Sequence, residues 1–245
     1  MCLAVSPALA QRNNVDAVLA AQAAAGVVPG AVDVPAEVKA SAVAAVDALG
    51  KEVVLGRLQV AIDRMYPAWK DALAKSAGGM DKLTEKFTSV PKLMAQQGMS
   101  ILSVKTEGEP IAYEVESGKE QVLDPKGNPV FLDASGKPLL DAKGNALPAK
   151  AGSKPHEQMV FKKWLLVVPT VTEFRLTEPA KAGQAPKIKL AVNHSFQVAI
   201  SDKGKNDWTF IDGSGLRISD LRRLFFTLPE NMTLPEIKGE EKKAK

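Results

Sequence analysis

The hydrophobic pattern of the chain changes once, near residue 98, from a helical spacing to an alternating one. Before that point apolar residues recur every three or four positions, which predicts helices. The predicted helices cover residues 14–25, 36–65, 69–76 and 81–97. Gly50 and Gly56 weaken the middle of the longest segment, so we expect a kink there or two separate helices.

Alternation of apolar and polar residues predicts strands in the second part of the chain. The predicted strands cover residues 99–106, 110–116, 159–176, 187–201 and 206–211, and a last helical turn begins at Ser219 as its N-cap and runs to Phe225. The turn at 202–205 makes the last two strands a hairpin. Helices followed by strands predict the α+β class, with N-terminal helices packed on an antiparallel sheet.

An insertion over residues 117–155 separates the second and third predicted strands. It holds three rough repeats that begin at Asp124, Asp133 and Asp141, each with a glycine three residues later. Asp at the start and Gly at the fourth position are typical of β-turns, because glycine adopts positive φ without strain. The aspartates could also bind a metal ion, but they lack the dense acidic spacing of a calcium loop. We therefore favour a turn-rich arm that serves as an interaction surface.

The two ends of the chain have different compositions. Residues 1–10 end in the Ala8-x-Ala10 pattern of a signal-peptidase site, but they lack a basic region and a long apolar segment. Two interpretations stay open: the tail of an export signal, or an apolar leader on a cytoplasmic protein. We divide the chain into a leader (1–10), a helix and linker (11–35), an α+β domain with its insertion (36–236) and a charged disordered tail (237–245).

The amino-acid composition argues against several classes of function. The chain has 245 residues, of which 45% are hydrophobic and 24% are charged, and its net charge is +4. This balance argues against a nucleic-acid-binding surface, and no apolar run is long enough for a transmembrane helix. One cysteine and two histidines argue against a disulfide framework and a zinc centre. The sequence contains no phosphate-binding loop, dinucleotide fingerprint or catalytic triad motif, so we predict no cofactor and favour a protein that is not an enzyme.

Two polar residues lie in apolar registers of predicted strands. His194 stands between Val192 and Phe196, so its ring is expected to face the core or a cavity. It could act as a general acid or base. It could also be a neutral histidine that hydrogen-bonds a backbone or carboxylate group, which we favour. Tyr113 is a core ring or a hydrogen-bond donor to an oxyanion.

Four local motifs accompany this order of elements. They are Tyr66-Pro67, Gly-Gly-Met at 78–80, Gln-Gly-Met-Ser-Ile at 97–101 and Asp-Trp-Thr-Phe-Ile-Asp-Gly at 207–213. Together they resemble an exported bacterial group, without assigned activity, in the nuclear-transport-factor-2-like superfamily. The resemblance covers residues 38–235 apart from the insertion. It implies a strongly curved antiparallel sheet that forms a cone around a pocket, and a homodimer through the outer face of the sheet.

The resemblance leads to one predicted function and two alternatives. We expect a non-catalytic exported module that binds a small apolar ligand or a protein partner. The predicted pocket residues are Tyr113, Trp164, His194, Phe196, Trp208 and Phe210. The first alternative is a small-molecule isomerase or lyase that uses His194, with Tyr113 as hydrogen-bond donor. The second is a cell-envelope assembly factor that acts through the arm.

Overall fold

The computed structural model describes residues 30–178 and 187–242. The predicted leader and the predicted helix over residues 14–25 lie outside these ranges. The described chain forms two compact units. The main unit comprises the described residues up to Glu114 and from Lys163 onward, and the arm unit is Val115–Lys162.

Five helices are found in the described residues. They are α1 (Ala36–Val54), α2 (Gln59–Asp63), α3 (Pro67–Ala77), α4 (Met80–Gln96) and α5 (Ile218–Leu224). The predicted break in the first long segment is confirmed, because residues 55–58 separate α1 from α2. Gly56 has φ +75° in this break, a conformation that favours glycine. At α5 the predicted N-cap is wrong: Arg217 occupies that position, and its N–H donates to the Asp220 carboxylate.

Eight strands are found in the same residues. They are β1 (Met99–Thr106), β2 (Ile111–Gln121), β3 (Phe131–Leu132), β4 (Lys154–Pro155), β5 (Glu157–Glu178), β6 (Lys187–Asp202), β7 (Thr209–Asp212) and β8 (Lys238–Lys242). β5 and β6 form a long antiparallel pair in the centre of a six-stranded sheet. β1 and β2 pair with β5, whereas β7 and β8 pair with β6. The α+β class with an antiparallel sheet is thus confirmed.

Two expectations differ from the structure. The sheet is not strongly curled, so the predicted cone is not confirmed. Residues 238–242, which the charge pattern assigned to a disordered tail, form β8 along residues 190–194 of β6. Strand pairing uses backbone groups and does not require apolar side chains. Here Lys189 on β6 also pairs with Glu241 on β8 (3.7 Å) and Glu178 on β5 (2.8 Å).

The first face of the sheet packs against α1. Its buried cluster contains Val38, Ala42 and Val46 from the helix, together with sheet residues that include Leu166, Val168, Trp208 and Phe210. This packing removes the apolar stripe of α1 from water, which is the main stabilising contribution of an amphipathic helix.

The second face is buried as well. Leu165 and Val167 alternate with the cluster residues of β5, so they point to the opposite side of the sheet, and both are at most 1% exposed. Phe196, Val198 and Ile200 on β6 are equally buried. In the segment from α5 onward, Leu221, Phe225, Leu228 and Met232 are buried too, and the Phe225 ring lies 5.3 Å from that of Tyr66. This part of the sheet is closed to solvent on both faces.

α1 also lies very close to β1, which is an edge strand. The Thr106 N–H donates to Asp47 Oδ1 (2.9 Å), so a helix side chain satisfies a backbone donor of the strand. A Cβ atom at Gly50 would lie 3.0 Å from Val104 Cβ and 3.1 Å from the Val104 carbonyl oxygen. Glycine at position 50 therefore permits this close approach, since any side chain there would push against Val104. A backbone donor that is occupied in this way is not free to pair with another chain.

Replacing Gly50 by leucine tests this contact. Gly50→Leu is expected to lower the free energy of unfolding by about 1–3 kcal/mol, because the new side chain overpacks the space in front of Val104. Ala44→Leu places the same side chain on the exposed face of α1 and serves as the control. Chemical denaturation of both variants measures the difference. Equal stability of Gly50→Leu and the wild type would contradict the proposed contact.

Among the described residues, no helix combines the length and the apolar character that crossing a membrane requires.

Candidate functional site

The six predicted pocket residues lie on both faces of the sheet. Trp208 and Phe210 belong to the cluster beneath α1, and Trp164 packs against that cluster. The Trp208 Nε1–H donates to Ser41 Oγ (2.6 Å), which ties the strand to the helix. Lys203 Nζ lies 4.2 Å from the centre of the Trp164 ring and pairs with Glu114. These three aromatic side chains thus pack within the protein, and Trp208 and Phe210 also line a small cleft of about 270 Å³ beside α1.

Tyr113 and Phe196 point to the opposite face. Ala112 directly precedes Tyr113, and Ala199 lies three residues after Phe196. Both alanines belong to the α1 cluster, and strand residues an odd number of positions apart lie on opposite faces. Tyr113 and Phe196 are each 1% exposed. The sheet therefore separates them from the tryptophans, and the structure does not bring the six residues into one pocket. Whether any of them binds a ligand stays a prediction.

His194 lies at the surface rather than in the core. Its side chain is 39% exposed; Nδ1 is 3.0 Å from Glu107 Oε2, and Nε2 is 3.6 Å from Glu240 Oε1. The apolar alternation of β6 predicted burial, but that face is open towards this end of the strand, where Ile188 is 58% exposed. The partner is a carboxylate, as in the interpretation that we favour from the sequence, but the ring is half-exposed.

The Tyr113 hydroxyl is isolated from His194. Its Oη atom is buried and has no hydrogen-bond partner among the described residues. Burial raises the pKa of the Tyr113 hydroxyl, since the charged form would lose its hydration. The hydroxyl stays protonated at neutral pH, and the structure shows no catalytic pair made of these two residues.

The predicted turns of the insertion are confirmed in the arm unit. Asp124 Oδ1 accepts the backbone N–H of Lys126 (2.9 Å) and of Asn128 (2.8 Å), and the third residue after Asp124, Gly127, has φ +83°. The repeats that begin at Asp133 and Asp141 make the same two hydrogen bonds. Each repeat is a tight turn whose conformation the aspartate stabilises and the glycine permits.

Asp124 has a further role that joins the first repeat to the third. Its Oδ2 atom accepts the Ala146 backbone N–H (2.8 Å) and the Asn128 side-chain amide (3.0 Å). The hydrogen bond from Ala146, supported by the others, lowers the pKa of Asp124 to about 2. In the parts of the chain that the structure describes, no group of three or more His, Cys, Asp or Glu residues could hold a metal ion.

An apolar cleft of about 450 Å³ lies in the main unit, where the end of α1 and the start of α2 face α4 and β1. We call it the apolar cleft. Its walls include Phe87, Val90, Pro91 and Met94 from α4, Met99 and Ile101 from β1, and Val53, Val54, Leu58 and Ala61 from the segment around α1 and α2. Its polar groups are Ser100 and Asp212, and Asp212 Oδ1 accepts the Ser214 backbone N–H (2.9 Å).

The cleft was not predicted from the sequence, although a signal for it exists. The side chains of α4 at positions 87, 90/91 and 94 follow helical spacing, and such a stripe normally enters the core. In α4 only Leu83 is buried, whereas Val90 is 40% exposed and Leu93 is 52% exposed. The stripe faces β1 across a gap instead of packing against it. A single sequence shows the stripe but not the distance to the surface opposite.

The chain was compared with protein-family models, curated proteins and solved structures, and none of them matches.

Replacing Asp124 by asparagine tests the link between the repeats. In Asp124→Asn, an amide nitrogen replaces one carboxylate oxygen, and this nitrogen cannot accept a hydrogen bond from the N–H groups that face it. The hydrogen bond from Ala146 is therefore weakened, and the Ala146 N–H is expected to exchange with solvent about tenfold faster. Asp133→Asn alters an equivalent turn without touching Ala146 and is the control. Because the pKa of Asp124 is lowered from 3.8 to about 2, its contribution to stability is complete above pH 3.8 and is lost as the pH falls towards 2. Amide exchange measured by NMR checks both variants; unchanged exchange at Ala146 in Asp124→Asn contradicts the link.

Proposed function

We propose that the main unit is a non-catalytic module that binds a small, mainly apolar ligand in the apolar cleft. The proposal is based on the volume of the apolar cleft together with the apolar character of its lining residues. A volume of about 450 Å³ falls within the range of small-molecule sites, ~300–1,000 Å³. Apolar walls with a few polar groups are typical of such sites, since the walls supply affinity and the polar groups orient the ligand.

Partly exposed apolar side chains supply the driving force. Val90, which lines the cleft, is 40% exposed. A ligand that covers such surface removes it from water and gains about 25 cal/mol for each Å² of apolar area. Met94 and Met99 add adaptable side chains, which suit ligands of varying shape.

The chemistry of the cleft supports binding rather than catalysis. Its polar lining residues are Ser100 and Asp212, without a histidine or a second carboxylate to exchange protons. The relation to the nuclear-transport-factor-2-like superfamily stays a proposal. It is supported by the order of elements, helices before an antiparallel sheet with a long central hairpin, but the ligand site that we propose is peripheral and not central. Export and a homodimer also stay predictions.

The two alternatives also stay predictions. The half-exposed position of His194, between Glu107 and Glu240, leaves an isomerase or lyase without an enclosed site around this ring. An assembly factor that acts through the arm would use its exposed apolar residues, among them Leu123 (56% exposed) and Leu140 (40% exposed). Deleting residues 117–155 would then leave the main unit folded and abolish partner capture.

Filling the cleft tests the proposed function. Ala61 lines the cleft, so Ala61→Trp is expected to occupy it with an indole ring. The neutral fluorescent probe N-phenyl-1-naphthylamine should bind the wild type, and its affinity should fall by at least about tenfold, ~1.4 kcal/mol, in Ala61→Trp. The matched control is Ala72→Trp, which adds the same ring on the exposed face of α3.

The measurement is a fluorescence titration, with circular dichroism to show that both variants are folded. Weak binding in Ala61→Trp alone supports the apolar cleft as the site. Failure of the wild type to bind the probe, or equal binding by all three proteins, argues against it.

A further inference from the structure

A second cleft, of about 680 Å³, lies farther along β1. Its walls come from Asp47, Lys51, Val54 and Leu55 at the end of α1 and from residues 102–106 of β1. We call it the lysine cleft. Val54 lines both clefts, and β1 continues from residues 99–101 in the apolar cleft to residues 102–106 in the lysine cleft. The two clefts are therefore neighbours on one strand.

Apolar side chains border the passage from one cleft to the other. The register of β1 against β5 shifts between Ile101 and Ser103, which leaves Leu102 in a bulge. Leu102 is 36% exposed and Leu55 is 63% exposed, and both line the lysine cleft. A flexible hydrocarbon chain that leaves the apolar cleft past Val54 would cover these two leucines.

Two cations distinguish the lysine cleft from its neighbour. Lys51 and Lys105 line it, and neither forms an ion pair with any of the described residues. Of the acidic groups in this region, Asp47 accepts the Thr106 N–H, and Glu52 is held by Arg57 at 2.7 Å. The two ammonium groups are thus available to an anion and outnumber the one carboxylate of this cleft, that of Asp47, whereas the charged group that lines the apolar cleft is Asp212, which would repel an anion.

We propose that the ligand is a long-chain carboxylate of the fatty-acid type. Its hydrocarbon chain lies in the apolar cleft, and its carboxylate lies at Lys51 and Lys105. This assignment rests on the proposed function, because it needs the apolar cleft as the site of the chain. Charge complementarity fixes the orientation, with the anion at the lysines and the methyl end towards Asp212.

Matched ligands and matched variants test the assignment. Dodecanoate and dodecanol have the same chain and differ in the charge of the head group. Titration calorimetry below their aggregation limits should show that dodecanoate binds the wild type about 3- to 10-fold more tightly, as expected for two exposed ion pairs. The double variant Lys51→Gln/Lys105→Gln should remove this preference and leave the affinity for dodecanol unchanged.

The control is Lys82→Gln/Lys86→Gln, which lowers the net charge equally. Both lysines are exposed on α4 and line neither cleft. This variant should keep the preference for dodecanoate. If it loses the preference to the same extent, the attraction is non-specific and the assignment is overturned.

The remaining outcomes separate the two proposals. Binding of dodecanol by the wild type without a preference for dodecanoate overturns the carboxylate assignment and leaves the proposed function intact. Failure of both ligands and of the naphthylamine probe to bind overturns both.

Discussion

The close contact between α1 and β1 constrains how the first helix lies on the sheet. Gly50 lets the helix approach the Val104 backbone, and Asp47 accepts the Thr106 N–H (2.9 Å). The contact satisfies one backbone donor of an edge strand, which leaves fewer unpaired groups for another chain to pair with. It also fixes the last turn of α1, and Val54 in that turn lines both clefts. The candidate site thus adjoins a contact that leaves little room for a side chain at position 50.

Packing on both faces of the sheet explains why the ligand-sized space is peripheral. Leu165, Leu166, Val167 and Val168 are successive residues, and all are at most 1% exposed, so each face of β5 meets a closely packed layer. Large aromatic side chains such as Trp208 and Phe196 fill these layers. Protein interiors pack at the density of organic crystals, which leaves little free volume there. Space for a ligand lies at the margins of these layers, as in the apolar cleft between α4 and β1 and in the lysine cleft at the end of α1.

Local chemistry explains which features could be predicted. The turns at Asp124, Asp133 and Asp141 follow from hydrogen bonds within a few residues, so the repeats predict them. The break near Gly56 follows in the same way from one backbone conformation. β8 could not be predicted, because its charged residues gain order from pairing with β6, which is distant in the sequence. The carboxylates beside His194 belong to Glu107 and to Glu240 of β8. Both residues are distant from His194 in the sequence, so these contacts could not be predicted either.

The sequence by itself determined the types and the order of the long helices and strands and the turns of the arm, since these depend on spacing and on neighbouring residues. Tertiary structure decided which apolar stripe is buried and which is left facing a gap, as at Phe87 and Met94 on α4. It also decided that the predicted pocket residues lie on two faces of the sheet and that Lys51 and Lys105 meet at one cleft. Periodicity gives the direction of a side chain relative to its own element. The distance to the opposing surface depends on how separate elements pack, which no local pattern records.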